Sequence, residues 1–400
     1  MNFKKNFFLL IVLTIIFVYI TNISSIPENL VLFQNENYEM QLLKGIELAD
    51  EKMKNGKIQT DFIGDLKVKL TALGIIPIKD ITVSVVPERL VIPAGDTLGV
   101  KLYSKGVLVV GKSIVEGIDG KDYEPYSDTN IEIGDIILKI DEKSIETIDD
   151  MRAAIESAAG REMTIVYEKD GNIREDKIIA VKTLDTNRYK IGLWVRDGAM
   201  GIGTVSFIDV ETGKFAALGH GVSDMDSKEK IAIEDGTLNE VKVVSITKGK
   251  KDSPGEILGV LDSDKIVGNI EKNTNIGIYG TLAAEKLAEY RHDKAVKIAS
   301  RKEIELGKAT ILCTLEEGKT EEFEIEIQKK YLEKENDSKC MIIKVTDENL
   351  LAKTGGIIQG MSGSPILQNG KLIGSITHVF VNDPTRGYAV FADSMLDEIY

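Results

Sequence analysis

The chain of 400 residues is poor in the side chains that bind metals or form disulfides. It has two cysteines, Cys313 and Cys340, and three histidines, His220, His292 and His378. Two cysteines exclude a disulfide framework and a four-cysteine zinc site, and the sequence has no HExxH motif and no Cys/His cluster. We therefore expect no metal and no cofactor. One bridge between the two cysteines and two separate core thiols both remain open.

The chain also lacks an excess of basic residues. Its net charge is −14, and no block of Lys and Arg is longer than a few residues. Because phosphate binding needs a concentrated basic patch, we expect no nucleic-acid partner. A composition of 43% hydrophobic and 28% charged residues is typical of a globular protein. Four hundred residues are too many for one ordinary core, which predicts two or three domains.

The amino terminus carries one apolar run. Lys4 and Lys5 precede Phe7–Ile20, fourteen residues with a single polar threonine. That length is typical of a signal-peptide core, but no A-x-A cleavage site follows. The pattern favours an uncleaved signal-anchor in residues 1–27, with a cleaved signal peptide as the alternative. In both cases the body of the protein is expected outside the cytoplasm.

Residues 28–87 mix helical and extended patterns and indicate no function. The next segment, residues 88–184, has a clearer order of elements. Ile136–Ile140 is an apolar strand, Thr147 and Asp150 form a capping-box pattern before an amphipathic helix, and a hairpin turn is expected at Asp170-Gly171.

This order of strand, helix and hairpin resembles a PDZ domain over residues 88–184. The resemblance implies a groove in which a peptide adds a strand to the sheet. The loop that captures the peptide's terminal carboxylate would be Thr97, Leu98, Gly99 and Val100. The alternative is a folded spacer that positions the following domain.

Residues 186–400 contain many short apolar strands separated by turn signals about every ten residues. This spacing predicts an antiparallel sandwich or barrel, and the length suffices for two small barrels.

Near the end of the chain, the segment GIIQGMSGSPI spans residues 356–366. Its glycines allow a sharp turn, so Ser362 is a candidate nucleophile. The N–H groups of Gly360 and Ser362 would form an oxyanion hole. Ser364 is a weaker candidate because it directly precedes Pro365, whose ring restricts it. The alternative for Ser362 is a hydroxyl that only stabilises a glycine-rich turn.

A serine nucleophile needs a base, and His220 is the favoured candidate. It ends the segment FAALGHG between two glycines, and a histidine can act as a general base near neutral pH. His378 is the rival base, and His292 is expected to be a surface residue. For the acid that orients the base, Asp347 is favoured because it preserves the order His, Asp, Ser. Asp224 and Asp226 are the alternatives.

Three longer motifs make a resemblance specific: GHGVSD, TGGIIQGMSGSPI and GYAVFA. With them, residues 85–400 resemble the SpoIVB sporulation peptidase family. The resemblance implies a mainly β fold, with a PDZ domain followed by a chymotrypsin-like double β-barrel and preceded by a membrane anchor. It also implies that His220 and Ser362 are catalytic, with Asp347 as the acid.

The resemblance further implies a role in spore formation. Family members act between the forespore and mother-cell membranes, where they cleave themselves and a membrane-bound regulator of an intramembrane metalloprotease. That cleavage leads to active sporulation sigma factor K. Two other functions stay open, a general quality-control serine protease and a binding scaffold with an inactive protease-like domain. Quality-control proteases normally place the PDZ domain after the protease, which is the reverse of the order expected here.

Overall fold

A computed structural model of the chain describes residues 2–24, 26, 28–34, 38–40, 42–49, 53–54, 57–87, 89–224, 230–316, 318–332 and 337–399. Strands dominate these residues. The helices are α1 (Asn2–Ser24), α2 (Ile148–Ala158), α3 (Ala284–Leu287), α4 (Glu348–Thr354) and α5 (Ala392–Asp397), with a short 3-10 helix at His292–Lys294.

The first part of the chain forms a small unit of its own after α1. Its strands are β1 (Asn29–Phe33), β2 (Tyr38–Glu39), β3 (Ile46–Ala49), β4 (Met53–Lys54), β5 (Lys57–Ile58), β6 (Gly64–Ala72) and β7 (Ile76–Val86). They make a four-stranded sheet in the order β1-β7-β6-β3 and a three-stranded sheet in the order β2-β5-β4. Tyr19 and Ile23 of α1 pack against the core of this unit.

No helix among the described residues combines the length and apolar character needed to cross a membrane. The anchor predicted for residues 1–27 is therefore not supported. The apolar run there has fourteen residues, one of them a threonine, whereas a bilayer span needs about twenty.

Two strands follow, β8 (Leu90–Pro93) and β9 (Thr97–Lys112), and then a unit built around α2. The further strands of this unit are β10 (Val115–Glu116), β11 (Asp122–Tyr123), β12 (Ile136–Ile140), β13 (Lys143–Ser144), β14 (Glu162–Lys169), β15 (Asn172–Ile179), β16 (Val181–Lys182) and β17 (Tyr189–Lys190). The capping box of Thr147 and Asp150 forms as predicted, and Met151 and Ile155 of α2 enter the core. The predicted hairpin joins β14 to β15 through Asp170-Gly171.

A first barrel is completed by the next strands. They are β18 (Leu193–Asp209), β19 (Lys214–Ala217), β20 (Ile233–Thr247), β21 (Glu256–Thr274) and β22 (Gly277–Leu282), followed by β23 (Val296–Lys297), which pairs with β8. Pairing runs β9-β20-β21-β22-β19-β18, and β18 pairs again with β9, so the six strands close into a ring. Leu102, Phe215 and Leu238 are buried in its core.

The second barrel is continuous in sequence. Its strands are β24 (Gly307–Glu316), β25 (Lys319–Lys330), β26 (Met341–Val345), β27 (Pro365–Gln368), β28 (Lys371–Phe380) and β29 (Asp383–Phe391). They close in the order β24-β25-β26-β29-β28-β27 around a core that includes Ile311, Ile343 and Phe391. The two barrels predicted from the spacing of short strands are both present.

Strand β9 of the predicted PDZ segment pairs with β18 of the predicted peptidase segment, so this pairing joins the two sides of the boundary predicted near residue 185. The pairing is antiparallel and extends from Lys112 with Leu193 to Thr97 with Thr204, with two register shifts. One end of this ribbon packs in the core around α2, through Val107, Val109 and Leu193, and the other end is part of the first barrel. The α2 unit is thus inserted between the first two strands of that barrel instead of preceding it.

Candidate active site

One cavity of about 430 Å³ lies where the two barrels meet. His220, which follows β19 of the first barrel, and Ser362, which precedes β27 of the second barrel, both line it. His378 and Thr377 of β28 line it as well. The structure therefore brings the two principal catalytic candidates together, although 141 positions separate them in sequence.

Ser362 is half-buried, and its hydroxyl donates a hydrogen bond of 2.7 Å to the carbonyl oxygen of Thr377. The turn that carries it depends on Gly363, whose φ of +99° is in the left-handed region. A Cβ atom at Gly363 would lie 1.9 Å from the carbonyl oxygen of Thr204, so no larger residue fits this close approach between barrels. In this arrangement the Ser362 hydroxyl must turn away from Thr377 before it can attack a substrate.

The backbone around Ser362 has the features of an oxyanion hole. In the described part of the chain, the N–H groups of Gly360 and Ser362 have no acceptor, whereas those of Met361, Gly363 and Ser364 donate to backbone carbonyls. Two unpaired N–H groups that border one cavity can bind the negative oxygen of a tetrahedral intermediate. The predicted pair, Gly360 and Ser362, is the pair left available.

The His220 ring is held by a backbone carbonyl. Its Nδ1 lies 2.8 Å from the carbonyl oxygen of Gly221. Since a carbonyl only accepts, Nδ1 carries the proton and Nε2 is left with a free lone pair. Burial lowers the pKa of His220 below its ordinary value, which keeps the ring neutral near pH 7. The neutral ring with an unprotonated Nε2 is the form that acts as a general base.

His378 is a second imidazole beside His220. The two ring centroids are 4.8 Å apart and the rings are tilted by 39°. Burial lowers the pKa of His378 to about 4, and the positive charges of His220 and Lys339 act in the same direction, against the carboxylate of Asp337. Its Nδ1 is buried and has no hydrogen-bond partner among the described residues. Two imidazoles in contact disfavour a second charge, so a proton on His220 would hold His378 neutral.

The structure does not bring Asp347 to His220. The carboxylate of Asp347 caps the amino terminus of α4, where it accepts hydrogen bonds of 2.9 Å from the N–H groups of both Asn349 and Leu350. Asp347 does not line the cavity. An aspartate at the end of a β-branched strand is equally typical of a helix cap. The order of His, Asp and Ser in the sequence does not distinguish such a cap from a catalytic acid.

The other acid candidates differ from each other. The side chain of Asp224 is buried and forms an ion pair of 2.8 Å with Arg196. Asp226 lies outside the described residues. Among the residues that the structure describes, no carboxylate is bonded to the His220 ring, and the Gly221 carbonyl takes the position of an orienting acid.

The structure forms no loop at the predicted carboxylate-binding residues. Thr97, Leu98, Gly99 and Val100 begin strand β9 and pair with β18, and Gly99 and Val100 also pair with β20 on the other side. Leu98 and Val100 are buried in the core of the first barrel. A paired strand in a barrel core does not present the loop N–H groups that bind a peptide carboxylate.

The two cysteines and His292 take no part in the site. Cys313 and Cys340 are both buried and form no disulfide. Burial raises the pKa of each thiol to about 12, so neither acts as a nucleophile near neutral pH. His292 is exposed, as predicted. The part of the chain that the structure describes holds no group of three metal-ligating side chains.

Sequence reasoning did not identify Thr204, which donates from its side chain to the carbonyl of Gly360 and from its N–H to that of Ser362. It also missed Ile257, whose N–H donates to the carbonyl of Gln359. Both residues belong to the first barrel and contact the serine loop of the second. No local pattern marks them, because their partners lie more than 100 positions away.

A serine, a histidine of the correct tautomer and two unpaired N–H groups in one cavity define a serine hydrolase site. The family described as SpoIVB peptidase S55 matches residues 187–396, just over half of the chain. The chain therefore belongs to the SpoIVB peptidase S55 family and is a SpoIVB-like serine peptidase. No curated protein matches it.

Among solved structures, the chain is similar to the PDZ domain of the SdrC-like protein from Listeria monocytogenes. The two are 23% identical, and the similarity covers 23% of this chain and 87% of the Listeria domain, with a TM-score of 0.19.

Proposed function

We propose that the chain is a chymotrypsin-like serine endopeptidase that cleaves itself and a membrane-bound regulatory protein. The family supports the peptidase activity and a role in sporulation. By resemblance to that family, the second substrate is the regulator of an intramembrane metalloprotease, and its cleavage leads to active sporulation sigma factor K. The body of the protein then acts outside the cytoplasm, between the forespore and mother-cell membranes.

One observation carries the proposal. The candidate base and the candidate nucleophile come from different barrels and line a single cavity, next to two N–H groups without acceptors. A serine in a purely structural turn needs neither a histidine from another barrel nor unpaired N–H groups beside it, since such groups are costly when they serve no ligand.

The chemistry follows from these positions. The Ser362 hydroxyl turns from Thr377 towards His220, and its oxygen attacks the scissile carbonyl carbon while Nε2 of His220 takes the proton. The carbonyl oxygen becomes negative and accepts hydrogen bonds from the N–H groups of Gly360 and Ser362. His220 then returns the proton to the leaving amine, and the C–N bond breaks. Water hydrolyses the acyl-enzyme through the same steps in reverse order.

The lining of the cavity also supports a preference for substrates with an apolar side chain. Its walls near Ser362 are mainly aliphatic, with Ile202, Leu218, Ile358 and Val379. Thr377, His378 and Val379 of β28, the strand that follows β27 and the serine loop, line it as well. We propose that an apolar side chain of the substrate occupies this space, because a charged one would lose its hydration without a partner.

We further propose that the α2 unit holds the protein substrate by a PDZ-like mode. Its predicted helix and hairpin are both present. Its strands continue directly into the first barrel through β9 and β18, whose residues Met200, Gly201 and Ile202 line the cavity. A substrate bound to the α2 unit would lie near β18, the strand that borders the active site.

The test is self-cleavage of the full chain. We expect the purified protein to cut itself, and we expect Ser362→Ala to abolish the cut while the melting temperature stays within a few degrees of wild type. Ser364→Ala is the matched control, since Ser364 is buried in the same loop and its hydroxyl has no partner within the part of the chain that the structure describes. Mass spectrometry of the products identifies the scissile bond and tests for an apolar residue before it.

Equal processing by wild type and Ser362→Ala would leave a binding scaffold with an inactive protease-like domain. Cleavage of unrelated unfolded proteins as efficiently as of itself would favour a quality-control protease.

A further inference from the structure

Thr204 of β18 is 1% exposed, contacts the serine loop and does not line the cavity. Its hydroxyl donates a hydrogen bond of 2.7 Å to the carbonyl oxygen of Gly360. Its backbone N–H donates one of 2.9 Å to the carbonyl oxygen of Ser362. One residue of the first barrel thus holds two carbonyls of the loop that carries the nucleophile of the second barrel.

Each peptide group of this loop is held by one bond to its carbonyl oxygen. The carbonyl of Gln359 accepts from the N–H of Ile257 at 2.9 Å, and that of Met361 accepts from the N–H of Ser364 at 3.0 Å. In a trans peptide the C=O and N–H groups point in opposite directions. The bonds to the Gln359 and Met361 carbonyls therefore set the directions of the N–H groups of Gly360 and Ser362, two residues that line the cavity.

The Gly360–Met361 peptide lies between these two groups, and its carbonyl is held by the Thr204 hydroxyl. Gly360 has a φ of +98°, a conformation in which a glycine has other accessible backbone states nearby. Rotation of this peptide would change the directions of both neighbouring peptides. Among the donors to the four loop carbonyls, the Thr204 hydroxyl alone belongs to a side chain.

We infer that Thr204 is a positioning residue for the oxyanion hole: it fixes the Gly360–Met361 peptide so that both N–H groups face the substrate. The inference rests on the proposed peptidase function and adds to it a positioning residue that the first barrel supplies besides the base His220. Thr204 does not line the cavity and touches no reacting atom.

A second buried threonine serves as a control that distinguishes a positioning role from a general effect on stability. Thr314 is also buried and also bridges the barrels, because its hydroxyl donates a hydrogen bond of 2.9 Å to the carbonyl oxygen of Gly95. Its hydroxyl also hydrogen-bonds to that of Thr320 at 2.8 Å, and neither partner belongs to the serine loop. Thr314→Val therefore removes buried hydrogen bonds at a barrel contact that is not part of the oxyanion hole.

The experiment uses the full chain and a fluorophosphonate probe. The Ser362 oxygen attacks phosphorus, a P–O bond forms, the P–F bond breaks and fluoride leaves, while the proton passes to His220. The negative phosphoryl oxygen that develops needs the same two N–H groups as a peptide substrate. The maximal labelling rate and the half-saturating probe concentration are measured for each variant, together with its melting temperature.

We expect Thr204→Val to lower the maximal labelling rate roughly tenfold to a hundredfold with a nearly unchanged half-saturating concentration, because the loss acts on the transition state. Thr204→Ser, which keeps the hydroxyl, should restore most of the rate, and Thr314→Val should label at about the wild-type rate. If Thr204→Val is poorly folded, the labelling rate of Thr204→Cys is compared with that of Thr314→Val instead.

Equal labelling rates for Thr204→Val and Thr314→Val would overturn the inference, as would a crystal structure of Thr204→Val with the Gly360–Met361 peptide unrotated. Failure of the proposed function has a different signature, since the wild-type protein itself would then not be labelled at Ser362.

Discussion

The two barrels divide the active site between them, but they are assembled in different ways. The second barrel is built from consecutive strands between Gly307 and Phe391, and it carries the serine loop within that span. The first barrel needs β9 and β18, which are separated in sequence by the whole α2 unit. It provides His220 at the end of β19 and the hydrogen bonds that hold the serine loop.

This difference places the two parts of the site in barrels of different construction. The nucleophile belongs to a self-contained barrel, whereas the base and the loop supports belong to a barrel whose strands β9 and β18 also enter the core around α2. Strand β18 includes Ile202, which lines the cavity, and Thr204, which holds the serine loop.

The largest expected effect is on the base. His220→Gln should lower the rate of self-cleavage about 10³-fold or more, because no other group takes the serine proton efficiently. His378→Gln is the control, and we expect a loss of less than about tenfold since its ring contacts His220 without replacing it. Product formation against time gives both rates. Equal losses, or a larger one for His378→Gln, would make His378 the base.

The next effect is on the contact between barrels. Gly363→Ala should lower the free energy of unfolding by about 3 kcal/mol and stop self-cleavage, because its Cβ would meet the Thr204 carbonyl at 1.9 Å. Gly370→Ala is the control, since Gly370 also has a positive φ, of +75°, but has open space around it. That change should cost about 1 kcal/mol. Denaturant unfolding measures both, and similar costs would contradict the close approach.

A smaller effect is expected at Asp347. Asp347→Ala removes a helix cap and should lower the free energy of unfolding by about 1 kcal/mol. Asp347→Asn keeps a capping side chain but loses the charge, so we expect both its stability and its self-cleavage to stay near wild type. A loss of activity of about 10⁴-fold in the Asn variant alone would instead make Asp347 the catalytic acid.

The smallest effect is the pH dependence of stability that comes from His378. Its pKa is about 4 in the folded chain and 6.5 in the reference state, so between these values the unfolded chain binds a proton that the folded chain does not. Stability is therefore complete above pH 6.5 and falls as the pH decreases. Between pH 7 and 6 the change is less than about 0.7 kcal/mol.

His378→Gln should reduce this slope in denaturant unfolding at pH 7 and pH 6. His220 remains in that variant and contributes in the same direction, because burial also lowers its pKa. An unchanged slope would show that His378 is not buried in its neutral form.

Much of the local structure was predictable because its causes are local. The helix after Thr147 follows from its own cap and apolar face, and the turn at Asp170-Gly171 follows from residues that accept positive φ. The serine loop and the glycine-flanked His220 were recognisable from their small neighbours. In contrast, Thr97–Val100 has the composition of a loop or a strand, and only its two paired neighbours make it a central strand of the first barrel.

The class of chemistry and the elements that carry it follow from short stretches of the sequence, since a serine between glycines, a histidine at a strand end and alternating apolar strands depend on adjacent residues. Folding established which strands close each barrel, that the α2 unit is inserted between β9 and β18, that Asp347 caps a helix, and that Thr204 holds the serine loop. These features depend on contacts between residues far apart in the chain. Such contacts are selected by how the whole core packs, and no short stretch of sequence contains that information.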